Sequence, residues 1–220
     1  MGTDNLHHKR KERTKASLRR RRALRDSYDV VLIVSEGSKT EPRYFCELRD
    51  DLGLNNFNVV VTGESGSDPD SVVRFAIRIA KEDGGYDRLF CVFDRDQHPT
   101  YQTAIDRARN TRIGIPVNAI TSVPCFEYWL LLHFTYTDRA FTGAGNRSPC
   151  EEVIGELRHH LPDYAKGDRG IYLQTKAHID RAITHAKRAL AAAEATGTEN
   201  PTTHIFELVE YLKQLRKNTH

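Results

Sequence analysis

Short apolar runs alternate with segments whose apolar residues recur at helical spacing, and this alternation organises most of the chain. The first continuous run predicts a strand over 28–34, apolar on both faces and therefore central in a parallel sheet. Tyr44, Phe45, Leu48 and Leu52 then predict a helix over 40–52 that stops at Gly53. A β-branched run predicts a strand over 57–61. Asp68-Pro69 opens a helix carried by Val72, Val73, Ala76, Ile77 and Ala80, with Gly84-Gly85 ending it. A third strand is expected over 88–93 and a polar helix with an Ala104/Ile105/Ala108 seam over 100–112. A fourth strand follows over 115–121, then a very apolar helical segment over 126–134. This order predicts an α/β fold, a doubly wound and mostly parallel sheet with helices on both faces.

The last third has a different texture. Residues 138–149 are rich in Gly, Ser, Pro and Asn and predict a mobile loop. Helices are expected over 150–160 and 177–194, a second loop over 196–203, and an amphipathic closing helix over 204–215. The expected organisation is a tail over 1–26, an α/β core over 27–137, and a loop with helices over 138–220 that packs on the core.

Charge separates the tail from the body. The chain of 220 residues carries +3, but residues 1–26 alone carry +7, so the remainder is at −4. The basic tail, with its run Arg19-Arg20-Arg21-Arg22, suits the phosphate backbone of nucleic acid; it suits equally a solvated leader or a helix covering an acidic patch. No apolar stretch approaches the roughly 20 residues that cross a bilayer, and the basic N-terminus lacks the apolar core of a secretory signal. The four cysteines, Cys46, Cys91, Cys125 and Cys150, are scattered and form no CxxC pair. That spacing argues against a disulfide framework or zinc knuckle and for a reducing, cytoplasmic setting.

Acids placed directly after buried strands change the picture most. Glu36 follows the first strand and Asp94-Arg95-Asp96 the third. In α/β sheets ligands gather beyond the carboxyl ends of strands. Glu36, Asp94 and Asp96 together would form an all-oxygen site suited to Mg²⁺ or Mn²⁺; taken alone, the DxD is also what exposed turn acids look like. Gly37 allows a tight bend, and Lys39 could neutralise charge on a phosphoryl oxygen. Glu41 is either a ligand or an acid favoured by the helix start, and Glu127 either a helix-start acid or a group aimed at the metal edge. His98 is a ligand, a proton shuttle or a loop histidine. The sequence contains no Walker A loop, GxGxxG, GxSxG or HExxH.

The run Val31-Leu32-Ile33-Val34-Ser35-Glu36-Gly37-Ser38-Lys39-Thr40-Glu41-Pro42-Arg43-Tyr44-Phe45 resembles the opening of RloB-like proteins. The segments Val92-Phe93-Asp94-Arg95-Asp96-Gln97-His98 and Pro124-Cys125-Phe126-Glu127-Tyr128-Trp129-Leu130, and the closing Asn200-Pro201-Thr202-Thr203, extend the resemblance to the C-terminus. Ser38 and Val123 depart from it, where the family often has an acid and Asn. The family is similar to Toprim-type domains of topoisomerases, primases and OLD nucleases, in which a Glu and a later DxD surround Mg²⁺. The resemblance places those roles on Glu36, Asp94 and Asp96, with Glu36 as general base or ligand and the two aspartates holding the metal. It implies a metal-dependent nuclease effector of antiphage defence, cutting DNA or RNA beside an ABC- or AAA-type ATPase. Two other readings stay open: a non-catalytic module that binds nucleic acid or docks on the ATPase, and a phosphoryl- or nucleotidyl-transfer enzyme.

Overall fold

The computed structural model describes residues 28–56, 58–66, 68–95, 98–143 and 145–217. Asp96 and the tail arginines Arg19, Arg20, Arg21 and Arg22 lie outside the described residues. Among the described residues five strands form one sheet: β1 (Val31–Ser35), β2 (Val59–Thr62), β3 (Arg88–Asp94), β4 (Val117–Val123) and β5 (Thr202–Thr203). Their order across the sheet is β2-β1-β3-β4-β5. The first four are parallel, and β5 runs antiparallel to β4.

Among the described residues eight α-helices surround the sheet: α1 (Thr40–Asp51), α2 (Pro69–Asp83), α3 (Tyr101–Asn110), α4 (Glu127–Leu131), α5 (Pro149–Arg158), α6 (Ile171–Thr175), α7 (Ile179–Thr196) and α8 (Ile205–Lys217). Alternate residues of each strand feed the two faces. Leu32, Val34, Leu89, Cys91 and Phe93 meet Val72, Val73, Ala76, Ala104 and Ala108 of α2 and α3. Val31, Ile33, Phe90, Val92 and Ile120 meet the other helices in a single larger core. That core takes in Val153, Leu157, Ile183 and Leu208, so the C-terminal helices bury their apolar faces against the sheet itself. Among the described residues no helix is long and apolar enough to cross a membrane.

The helix ends follow from local chemistry. Asp68 caps α2 by accepting a hydrogen bond from the Ser71 backbone N–H at 3.0 Å. Ser148 and Glu151 close a reciprocal capping box on α5, with Pro149 in its first turn. Gly84 ends α2 with φ at +63°, a conformation a side chain would strain.

Three features depart from the sequence reading. The predicted loop over 196–203 contains β5, whose Thr203 and Thr202 pair with Ser122 and Val123. Two threonines are too short a run to signal a strand; the edge of β4 supplies the order. Residues 171–175, given no element by periodicity, form α6. Third, Cys125 and Cys150, 25 residues apart, form a disulfide with Cα atoms 5.7 Å apart. The fold stacks the start of α4 on the start of α5, which spacing along the chain could not reveal. Cys46 and Cys91 are free thiols.

Candidate functional site

Parallel pairing carries Glu36 to the carboxyl edge of the sheet. Ser35 of β1 registers with Val92 of β3, and the Glu36 N–H continues the ladder by donating to the Val92 carbonyl at 3.0 Å. The buried Ser35 hydroxyl donates to the Gly37 carbonyl at 3.0 Å, and the Ser65 hydroxyl donates to the Ser35 carbonyl at 2.8 Å. These bonds hold the turn after β1 tightly. The Glu36 carboxylate then reaches over β3: Oε2 accepts from the Asp94 N–H at 3.3 Å, and Oε1 lies 3.3 Å from His98 Nε2.

Gly37 is required here for space. Its φ is not positive, but an added Cβ would stand 2.1 Å from Glu41 Oε2. The chain does bend after Glu36, and a steric reason for glycine joins that bend: only glycine lets the Glu41 side chain fold back from the first turn of α1 over the β1 turn. Gly63 plays a matching part, because a Cβ there would fall 2.4 Å from the Gly37 carbonyl.

Aromatic packing sets the distance between the two helix starts that carry Glu41 and Glu127. Tyr44 lies one turn beyond Glu41 on α1, and Trp129 lies two residues beyond Glu127 on α4. Trp129 Nε1 donates to the Tyr44 hydroxyl at 2.9 Å, and both side chains are fully buried. Tyr44 also meets Phe126 edge-on at 5.4 Å. A buried Trp N–H with a partner is both an apolar contact and a satisfied donor, so the joint is rigid.

Four carboxylates consequently converge. Burial pushes the Asp94 carboxyl well above the ordinary range, and the charges of Glu41, Glu127 and Glu36 push it further; a backbone hydrogen bond from Phe126 opposes them. Burial likewise raises Glu41 to about 7, with Glu127 and Glu36 adding to the rise and its own backbone N–H and Lys166 opposing it. Glu127 is almost fully buried, at 2 % exposure. Its Oε1 accepts from the Tyr164 hydroxyl at 2.9 Å, and its Oε2 lies 3.5 Å from Lys166 Nζ. Cys150 Sγ is 3.4 Å from the same Oε2; as half of a disulfide it has no proton to donate, so this is a contact only.

The loop carrying Tyr164 and Lys166 is docked onto α1. The Gly167 N–H donates to Thr40 Oγ1 at 2.8 Å, and the Glu47 carboxylate accepts from the Gly170 and Tyr172 N–H groups at 2.7 and 3.2 Å. Gly167 has φ at +84°, and a Cβ there would stand 3.0 Å from the stem of Lys39. The result is a cleft of about 320 Å³ lined by residues 37–41, Glu127, Lys166 and Gly167. Lys39 and Lys166 both line it, beside the acids.

Of the residues singled out from sequence, Glu36, Lys39, Glu41, Asp94, His98 and Glu127 are gathered at this edge. Glu41 and Glu127, left open above, face Asp94 as charged neighbours. Sequence reasoning missed Tyr164 and Lys166, which reach the site from a loop with no periodic signal. Among the described residues, the one trio of Cys, His or acidic groups whose ligand atoms all lie within 4.8 Å is Cys125, Glu127 and Cys150. No three of Glu36, Glu41, Asp94, Glu127 and His98 meet that closely.

Neither curated proteins nor solved structures return a match to the chain. A family model described as RloB-like protein matches residues 31–212, a span that includes every acid of the cleft as well as Tyr164 and Lys166. The chain therefore belongs to the RloB-like protein family.

Proposed function

We propose that the protein is a Toprim-like, divalent-metal-dependent phosphodiesterase acting on nucleic acid. One observation carries the reading: four carboxylates from three successive strand ends converge beside two lysines at the carboxyl edge of a parallel sheet. The reading is supported by Glu36 following β1 and Asp94 ending β3, since β1 and β3 are adjacent parallel strands.

The residues suit Mg²⁺ or Mn²⁺. Glu36, Asp94, Glu41 and Glu127 offer only hard oxygens; burial first, and the mutual repulsion of the acids after it, raises Asp94 and Glu41, and a dication would relieve the repulsion. Glu36 and Asp94, with Asp96, would hold the ion. When bound, it supplies Lewis-acid polarisation of a phosphoryl oxygen and a more acidic water.

The chain's own groups divide the remaining work. Glu41, titrating near neutrality, is poised to take a proton from an attacking water at its carboxylate oxygen. Lys39 and Lys166, on the wall of the cleft, place positive charge where the phosphate gains negative charge. Tyr164 holds Glu127 in its orientation by donating to Oε1. His98, beside Glu36 Oε1, is placed to orient that carboxylate. In this reading the protein acts as a cytoplasmic effector of antiphage defence next to an ABC- or AAA-type ATPase, with its basic tail on the nucleic-acid backbone.

The test is cleavage of labelled single- and double-stranded DNA and RNA by the full chain in Mg²⁺ or Mn²⁺, with and without the neighbouring ATPase. Cleavage by the wild type and a loss of at least about 100-fold in Asp94→Asn are expected. Equal cleavage by Asp94→Asn would refute the site. Intact substrates under every condition would favour the non-catalytic module.

A further inference from the structure

A second, larger cavity of about 940 Å³ opens beside the acid cleft, and Lys166 belongs to both. Its lining includes His98, Arg147, Ser148, Glu151, Arg158 and Lys166. One long wall is α5 with its cap, whose residues Ser148, Glu151, Gly155 and Arg158 recur at helical spacing. Two lining residues pair with the acids: His98 with Glu36 and Lys166 with Glu127. A ligand lying in this groove would therefore pass directly over the acid cluster.

The groove's charge runs against that of the body around it. The chain beyond the tail carries −4, yet Arg147, Arg158 and Lys166 line this surface against one acid, Glu151. Glu151 is committed to the α5 cap, accepting from the Ser148 N–H at 2.7 Å. Arg158 is braced by donating from Nε to the Tyr164 carbonyl at 3.1 Å, so it is tied to the same loop that carries Lys166. Gly155 leaves the wall bare next to Arg147: a Cβ there would stand 3.8 Å from Arg147 Nη1.

We propose that this groove is the track for the backbone of the nucleic-acid strand, with Arg147, Arg158 and Lys166 contacting successive phosphates as the strand enters the acid cleft. The choice of ligand rests on the phosphodiesterase reading above. Guanidinium groups suit phosphate because their planar fork can donate two parallel hydrogen bonds. An electropositive groove leading to a reaction centre is the arrangement that binds single strands without reading sequence.

The test uses the full chain and a fluorescent single-stranded oligonucleotide. Binding is followed by anisotropy in EDTA, where cleavage is silent, across a series of salt concentrations. The basic tail contributes equally to every protein compared. The double variant Arg147→Ala/Arg158→Ala is expected to flatten the dependence of log K on log salt by about 1.4, two phosphate contacts at about 0.7 each. A control, Arg78→Ala/Arg109→Ala, removes the same charge from α2 and α3 on the opposite face of the sheet and should leave the slope within error. Thermal melts confirm that each variant is folded. A groove variant whose slope equals that of the wild type or of the control overturns the proposal. If the slope flattens but no substrate is ever cut, the groove stands and the phosphodiesterase reading fails. If the wild type cleaves while the slope is unchanged, the groove alone fails.

Discussion

Glu41 offers a direct test of the electrostatics because its carboxyl is raised from 4.5 to about 7. The folded protein therefore holds this proton more tightly than the unfolded chain does. Below pH 4.5 both states are protonated and the group leaves stability untouched. As pH rises from 4.5 through 7 the folded state loses stability, because a charge is forced into a buried and already acidic place. One pKa unit corresponds to about 1.36 kcal/mol, so 2.5 units cost about 3 kcal/mol once the group is fully ionised. Linkage gives about 0.8 kcal/mol of this at pH 5 and about 3 kcal/mol at pH 8. Glu41→Gln keeps the shape and removes the charge. In EDTA it should match the wild type at acid pH and exceed it by about 3 kcal/mol at pH 8. For a chain of this size that is a rise in Tm of about 6–12 °C. Urea unfolding from pH 5 to 8, wild type against variant, measures the difference; carboxylates remote from Glu41 cancel, and Asp94, relieved of the Glu41 charge, widens the gap in the same direction. Adding Mg²⁺ at pH 8 should narrow the gap by stabilising the wild type more. A variant that tracks the wild type at every pH, or is less stable at pH 8, would show that ionising Glu41 does not cost the fold stability.

Three other outcomes are expected. Gly37→Ala places a methyl 2.1 Å from Glu41 Oε2, so the Glu41 carboxylate must swing aside; the loss by urea unfolding at neutral pH should stay at about 1 kcal/mol or below. Cys150→Ser removes a cross-link between residues 25 apart and should cost about 3 kcal/mol in non-reducing denaturation, a gap that closes when reductant is added. Tyr164→Phe strips Glu127 of its hydroxyl donor and should cost about 1–3 kcal/mol, read by thermal melting, with a matching loss of cleavage.

The parallel core was legible because its signals are local. Runs such as 31–34 and 89–93 are apolar on both faces, and the helices between them carry apolar stripes and caps. Acids after β1 and β3 were legible for the same reason: a strand end and a carboxyl edge are properties of a few neighbouring residues. What stayed hidden depends on pairs remote in sequence. The inward placement of Glu41 depends on Gly37 and on the buried Tyr44–Trp129 bond, 85 residues apart in sequence. Glu127 needs Tyr164 and Lys166, brought in by a loop whose anchors are Thr40 and Glu47 on α1. β5 exists because β4 offers it an edge, and the Cys125–Cys150 bond because α4 and α5 begin side by side. No periodicity encodes any of these.

The proposed function requires the carboxylates around Asp94 to hold a divalent ion. Calorimetric titration of the full chain with Mn²⁺ at pH 7.5, wild type against Glu36→Gln and Asp94→Asn, tests it most directly. Saturable binding to the wild type, and affinity weakened by more than about tenfold in either variant, are the expected results. Equal Mn²⁺ binding by all three proteins, or none by the wild type, would contradict the proposed function.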